Sequence, residues 1–146
     1  MVKHSSFRGM FPRSPEGARR ARKILTDVAR RWLASDDLAN FEIAVGEALA
    51  NVVESGEGRS LQVTCGRDET GVIAEVGDVG LGFVLGDEDL GVQPEDLSPR
   101  GFGIFIIRAL SDDVQILNGG TRIRLSKRIR SATEKIAESG QAGYVS

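Results

Sequence analysis

The sequence predicts an α+β sandwich in which helices cover one face of a mixed, mostly antiparallel sheet. Strand-like runs come in hairpin pairs, helical stretches stand apart from them, and the strand–helix–strand alternation of a dinucleotide-binding fold is missing. At 146 residues and 40% apolar content, the chain is sized for one core. We expect the domain to occupy residues 1–130. Apolar periodicity fades beyond Arg130, so residues 131–146 are expected to form a tail with a short helix.

Ser14, Pro15 and Glu16 read as a helix start, with a side-chain cap, a proline in the first turn and an acid near the positive end. Ala18, Ala21, Leu25, Val28 and Trp32 then recur at helical spacing, carrying a first helix to about Leu33. Asp36 and Asp37 offer caps for a second helix through Val53, whose inward stripe is Phe41, Ala44, Val45, Ala48 and Val52. The β-branched runs SLQVTCGR and TGVIAEVGD, separated by an Asp-Glu-Thr-Gly turn signal, read as an antiparallel hairpin. A glycine-rich segment leads to GIFIIRAL, a third helix, and then to the strands DVQILNG and GTRIRLSKR, joined by a tight turn at Gly119 and Gly120. The predicted order is helix, helix, strand, strand, loop, helix, strand, strand, with no element before Ser14.

The net charge of −2 conceals segregation. Residues 1–35 carry nine Lys/Arg against two acids, residues 36–99 two against fifteen, and residues 100–146 eight against four. Phosphate contacts need Lys and Arg, so the acidic middle argues against direct nucleic-acid binding, and the cluster Arg19, Arg20, Arg22, Lys23 reads as a solvated helix face. Cys65 is the sole cysteine; it can form no internal disulfide or thiolate cluster, and its apolar setting marks a buried strand position. No run approaches the roughly 20 apolar residues that span a bilayer, and the start lacks a secretory signal, so a cytoplasmic protein without membrane contact is expected.

Three elements carry chemistry. Glu47 and Asn51 lie four apart on the second helix and project from one face. An amide oxygen suits Mg²⁺, which takes few protein ligands and completes its shell with phosphate and water, so Asn51 is the candidate metal ligand. A carboxylate one turn earlier can take the proton of a hydroxyl attacking a terminal phosphate, which makes Glu47 the candidate base. The run Asp78, Gly80, Gly82, Phe83 closes a strand. Its glycines permit close ligand approach, and a buried carboxylate there accepts from the exocyclic amino group of adenine and repels the carbonyl of guanine. The run Arg100, Gly101, Phe102, Gly103 precedes the third helix, where free amide hydrogens and the helix dipole make an anion site. There is no Walker-type G-x-x-x-x-G-K-[ST] loop. Singly, each element also fits a solvated helix face or a surface turn.

In this order and spacing, they resemble the N box and two glycine boxes of the gyrase, heat-shock chaperone, histidine-kinase and mismatch-repair (GHKL) ATPase superfamily. The phrases EIAVGEALANVV, RGFGIFIIRALSDDVQIL and GGTRIRLSKRI, within a stretch from about Ser14 to Ile129, most resemble the anti-sigma factor serine/threonine kinases. The resemblance implies a histidine-kinase-like ATPase (Bergerat) sandwich that binds ATP and Mg²⁺. Asn51 would hold the metal, Glu47 would be the general base and Asp78 would bind adenine. Gly80 and Gly82 would shape the adenine pocket, Gly101 and Gly103 would receive phosphates, and Thr121 would join Asp78 in a water network. Phe83, Arg100 and Phe102 belong to the same boxes, and Val84 to Pro99 matches the ATP lid. The implied partners are a second copy of the chain, a sigma factor, and a STAS-type antagonist whose Ser or Thr receives the γ-phosphate. After Asn51 the chain departs from the family's His-Ala-Tyr-like continuation and reads NVVESGEG. The alternative reading is an ATP-binding interaction module without transfer activity. A histidine-kinase catalytic domain is a third, disfavoured by the absence of phosphoacceptor helices.

Overall fold

A computed structural model describes residues 4–78, 99–117 and 121–130. Its elements in chain order are β1 (His4–Pro12), α1 (Pro15–Ala29), α2 (Ser35–Ser55), β2 (Ser60–Arg67), β3 (Gly71–Asp78), α3 (Pro99–Leu110), β4 (Asp113–Leu117) and β5 (Arg122–Arg128). The strands form one sheet in the order β1-β2-β3-β5-β4, and all four described pairings are antiparallel. The expected α+β sandwich is therefore present.

The register decides which face is dry. Leu61, Val63 and Cys65 sit opposite Asp78, Val76 and Ala74, and Val76 and Ala74 sit opposite Ile123 and Leu125. Apart from Asp78, these side chains make the buried apolar face of the sheet. Alternation sends Gln62, Glu75, Arg122, Arg124 and Gln115 to the other face. There Arg122 pairs with Glu75 at 3.0 Å and Arg124 donates to Gln115 at 2.9 Å. α1 lies against β1 and β2, α2 against β3 and β5, and α3 against β4.

The second helix is the centre of the core. Phe41, Ala44, Val45, Ala48 and Val52 are all fully buried, as the stripe predicts, and so is Leu49. Burying its Phe, Val and Leu side chains contributes about 1.5–3 kcal/mol each, so the stripe fixes the rotation of α2 about its own axis. The opposite hairpin end also follows the sequence. The carboxylate of Asp68 accepts from the Thr70 and Gly71 amides at 2.8 and 2.9 Å, and the Gly71 bond, then the Thr70 bond, hold its carboxyl below the usual carboxylate range.

Four expectations need correction. β1 was not foreseen. It is an edge strand whose described inward side chains are Phe7, half-buried, and Phe11, which is buried, with Gly9 between them. A strand paired on one side carries little apolar alternation, and its closing Pro12 is tolerated at a sheet edge. α1 ends at Ala29, short of Leu33. The amides of Trp32 and Leu33 both bond to the Ala29 carbonyl at 2.9 Å, a tightened turn that keeps their side chains near the helical register. α2 begins at Ser35 with Ala34 at the cap and no side-chain cap bond, so Asp36 and Asp37 lie in the first turn instead. α3 begins at Pro99, four residues before GIFIIRAL, in keeping with the preference of proline for a first helical position. The tail beyond Arg130 and the glycines at 119 and 120 lie outside the described residues.

Asp37 and Asp36 are unequal partners. Asp37 Oδ2 meets Arg130 Nε at 3.0 Å and Oδ1 meets Arg130 Nη2 at 3.2 Å, with Lys127 Nζ 3.9 Å away. This half-buried cluster ties the start of α2 to the end of β5. We expect Asp37→Ala to cost about 2 kcal/mol and Asp36→Ala less than about 0.5 kcal/mol, read as chemical-denaturation midpoints of the two variants. Equal costs would mean the cluster does not hold the helix.

Candidate functional site

The α2 face next to the dry stripe carries the first pair. Asn51 is buried, and Glu47, one turn earlier, is half-buried. Their four-residue spacing puts both side chains on one side of the helix, as expected. α2 packs against α3, and Gly103 of α3 faces Glu47 of α2. A Cβ placed on Gly103 would come 3.1 Å from Glu47 Oε1. Glycine at this position gives the carboxylate its room, so an α3 glycine and the α2 carboxylate occupy one small volume.

The other end of the site gathers at the C-terminal turn of α2. Asp78, the last residue of β3, is 4% exposed. Its Oδ2 accepts the Glu57 amide at 2.8 Å, and its own amide donates to the Thr121 carbonyl at 3.2 Å. Gly56 is the contact point: a Cβ there would lie 2.7 Å from the Val52 carbonyl oxygen and 3.0 Å from Asp78 Oδ2. Glu47, Asn51 and Asp78 thus follow one another along a single ruler. From Glu47 to Gly56 that ruler is roughly 13 Å long, at about 1.5 Å per residue.

Among the expected residues, Gly103 meets Glu47 at one end, Thr121 meets Asp78 at the other, and Asn51 lies on α2 between them. Arg100, Gly101 and Phe102 belong to the first turns of α3. Because α3 begins at Pro99, the helix start with its unpaired amides falls at residues up to Gly101, and Gly103 lies beyond it. Gly80, Gly82, Phe83 and the lid segment before Pro99 lie outside the described residues. Sequence reasoning missed Glu57, which acts through its backbone amide, and Arg13, whose side chain donates to the carbonyls of Val53 and Gly58. Neither belongs to a motif, and only a structure reveals a backbone contact of this kind.

The donor set fits a magnesium nucleotide. Among the described residues no group of three His, Cys, Asp or Glu could hold a metal alone. A single buried carboxamide suits a cation whose remaining ligands are phosphate oxygens and water. A buried carboxylate with one oxygen fixed by an amide suits a base amino group. A groove of about 350 Å³ between α1 and α2, lined by Pro15, Ala18, Arg22, Gly46 and Val53 among others, contains none of these residues. Cys65 takes no part: burial pushes its thiol up to about 12, which leaves it unreactive at neutral pH.

Comparison with known proteins identifies the family. The family model for the histidine kinase-like ATPase domain matches residues 11–127. The chain belongs to this family. It is 34% identical over 134 residues to the serine-protein kinase RsbW of Oceanobacillus iheyensis, covering 81% of this chain and 83% of that protein. It is 27% identical over 142 residues to the RsbW of Bacillus mycoides, covering 89% of each, and 28% identical over 121 residues to that of Bacillus thuringiensis, covering 75% and 76%. Among the described residues no helix is long and apolar enough to cross a membrane.

Gly103→Ala separates stability from geometry. Alanine is favoured over glycine inside a helix by about 1 kcal/mol, so the melting temperature should hold or rise. The added methyl, 3.1 Å from Glu47 Oε1, must displace the carboxylate by a few tenths of an ångström. We expect a folded variant with phosphoryl transfer reduced about tenfold or more. Unchanged transfer would show that the space kept by Gly103 is not needed.

Proposed function

We propose that this protein is an ATP-dependent serine/threonine kinase and anti-sigma factor, which sequesters a sigma factor and phosphorylates a STAS-type antagonist, acting as a homodimer. The observation that carries the reading is the approach of Gly103 to the Glu47 carboxylate one turn from buried Asn51. It supports reading Glu47 as a proton acceptor and Asn51 as a metal-binding amide beside the helix that would receive phosphates. The family match and the relatives named as serine-protein kinases support it. The sigma factor, the antagonist and the dimer are carried over from the resemblance.

Each residue has a distinct task in this reading. Asn51 Oδ1 would hold Mg²⁺, and Asp78 would accept from the adenine amino group and exclude guanine. Glu47 would take the proton from the substrate hydroxyl as its oxygen attacks. ATP supplies the γ-phosphoryl group, whose bond to the bridging oxygen would break as ADP leaves, and the amides at the start of α3 would hold the phosphate oxygens in line with the dipole. The half-buried position of Glu47 would limit competing hydration of the carboxylate.

The test is a transfer assay with γ-labelled ATP and a purified STAS-type antagonist. We expect Glu47→Gln to bind Mg-ATP as the unaltered protein does and to lose about 10²–10⁴-fold in transfer rate. Normal transfer by Glu47→Gln would remove the base assignment. Absence of transfer by the unaltered protein, with ATP binding intact, would favour the interaction-module reading.

A further inference from the structure

The segment that departs from the family's continuation after Asn51 closes in an unusual exchange of hydrogen bonds. If α2 ran on past Ser55, the Glu57 amide would bond to the carbonyl of Val53, four residues earlier. It bonds to Asp78 Oδ2 at 2.8 Å instead, which leaves the Val53 carbonyl needing another donor at the helix end. Arg13 supplies it. Its Nη1 donates to the Val53 carbonyl and its Nε to the Gly58 carbonyl, while its own amide donates to Arg59 at 2.9 Å. A single residue from the β1–α1 connection thus holds both limbs of the turn between α2 and β2.

The packing leaves this turn little freedom. A Cβ on Gly56 would lie 2.7 Å from the Val52 carbonyl oxygen, 3.0 Å from Asp78 Oδ2 and 3.1 Å from Arg13 Cδ. The helix end, the buried carboxylate and the Arg13 stem meet at that one glycine. Without the guanidinium, the Val53 and Gly58 carbonyls would lose the donor that ties the two limbs of the turn, and the Glu57 amide that fixes one Asp78 oxygen would lose that support.

We propose that Arg13 is a positioning residue for base recognition: by satisfying the Val53 carbonyl it keeps the Glu57 amide on Asp78, so that the carboxylate faces the exocyclic amino group of a purine. This rests on the reading of Asp78 as the base-recognising carboxylate. A residue that only caps α2 would change stability and leave base preference alone, whereas Arg13 acts on the preference itself.

The experiment measures dissociation constants of the full chain for Mg-ATP and for the Mg complex of purine riboside triphosphate, which lacks the 6-amino group. The unaltered protein should favour ATP by about tenfold or more, the worth of a hydrogen bond to a charged group. Arg13→Gln should lose most of that ratio by weakening ATP alone, and Arg13→Lys should recover part of it. An unchanged ratio in Arg13→Gln, even with a lowered melting temperature, overturns the proposal. Should Arg13→Gln fail to fold, the ratio in Arg13→Lys decides by the same criterion. An unaltered protein that binds both nucleotides equally overturns the Asp78 reading and the proposal together.

Discussion

One helix has to be dry on one side and chemically equipped on the next. The fully buried stripe from Phe41 to Val52 admits a single rotation of α2 against the sheet and α3. That rotation presents Glu47 to Gly103 and holds Asn51 inside the domain. The C-terminal turn of the same helix reaches Asp78 through Gly56 and the Glu57 amide. Packing and site geometry are therefore one constraint, and a change that rotates α2 would disturb the candidate metal ligand, base and base-binding carboxylate together.

Charge in this chain divides between solvation and architecture. Arg19, Arg20, Arg22 and Lys23 are exposed on α1, as a solvated helix face predicts. Surface pairs such as Lys23 with Asp27 at 3.8 Å contribute little to stability. The basic residues of the last third behave differently. Arg122 and Arg124 pair with Glu75, and Lys127 and Arg130 with Asp37. Part of the positive charge counted there is thus committed to fastening β5 to its neighbours, and a charge count alone overstates what is available to a partner.

Much of the fold was legible because its period is strong. The dry stripe of α2, the hairpin of β2 and β3 and the buried place of Cys65 are all readable from alternation or helical spacing. β1 was not, since an edge strand with Gly9 between two phenylalanines leaves a faint pattern. Helix ends were displaced where backbone bonds decide them: at Ala29, where a tightened turn continues the register, and at Ser35, where no side chain caps the helix. In the site, Glu47, Asn51, Asp78 and Gly103 carry side chains or a lack of one that a motif can register. Arg13 and Glu57 work through main-chain carbonyls and amides, for which residue identity gives no signature.

The account stands on these groups serving one adenine nucleotide, and thermal melting of the full chain with Mg-ATP or Mg-GTP tests that most directly. At 100 times its dissociation constant a ligand adds about 2.7 kcal/mol to stability, so Mg-ATP should raise the melting temperature while Mg-GTP at the same concentration leaves it in place. No shift with Mg-ATP, or equal shifts with both nucleotides, would contradict the account.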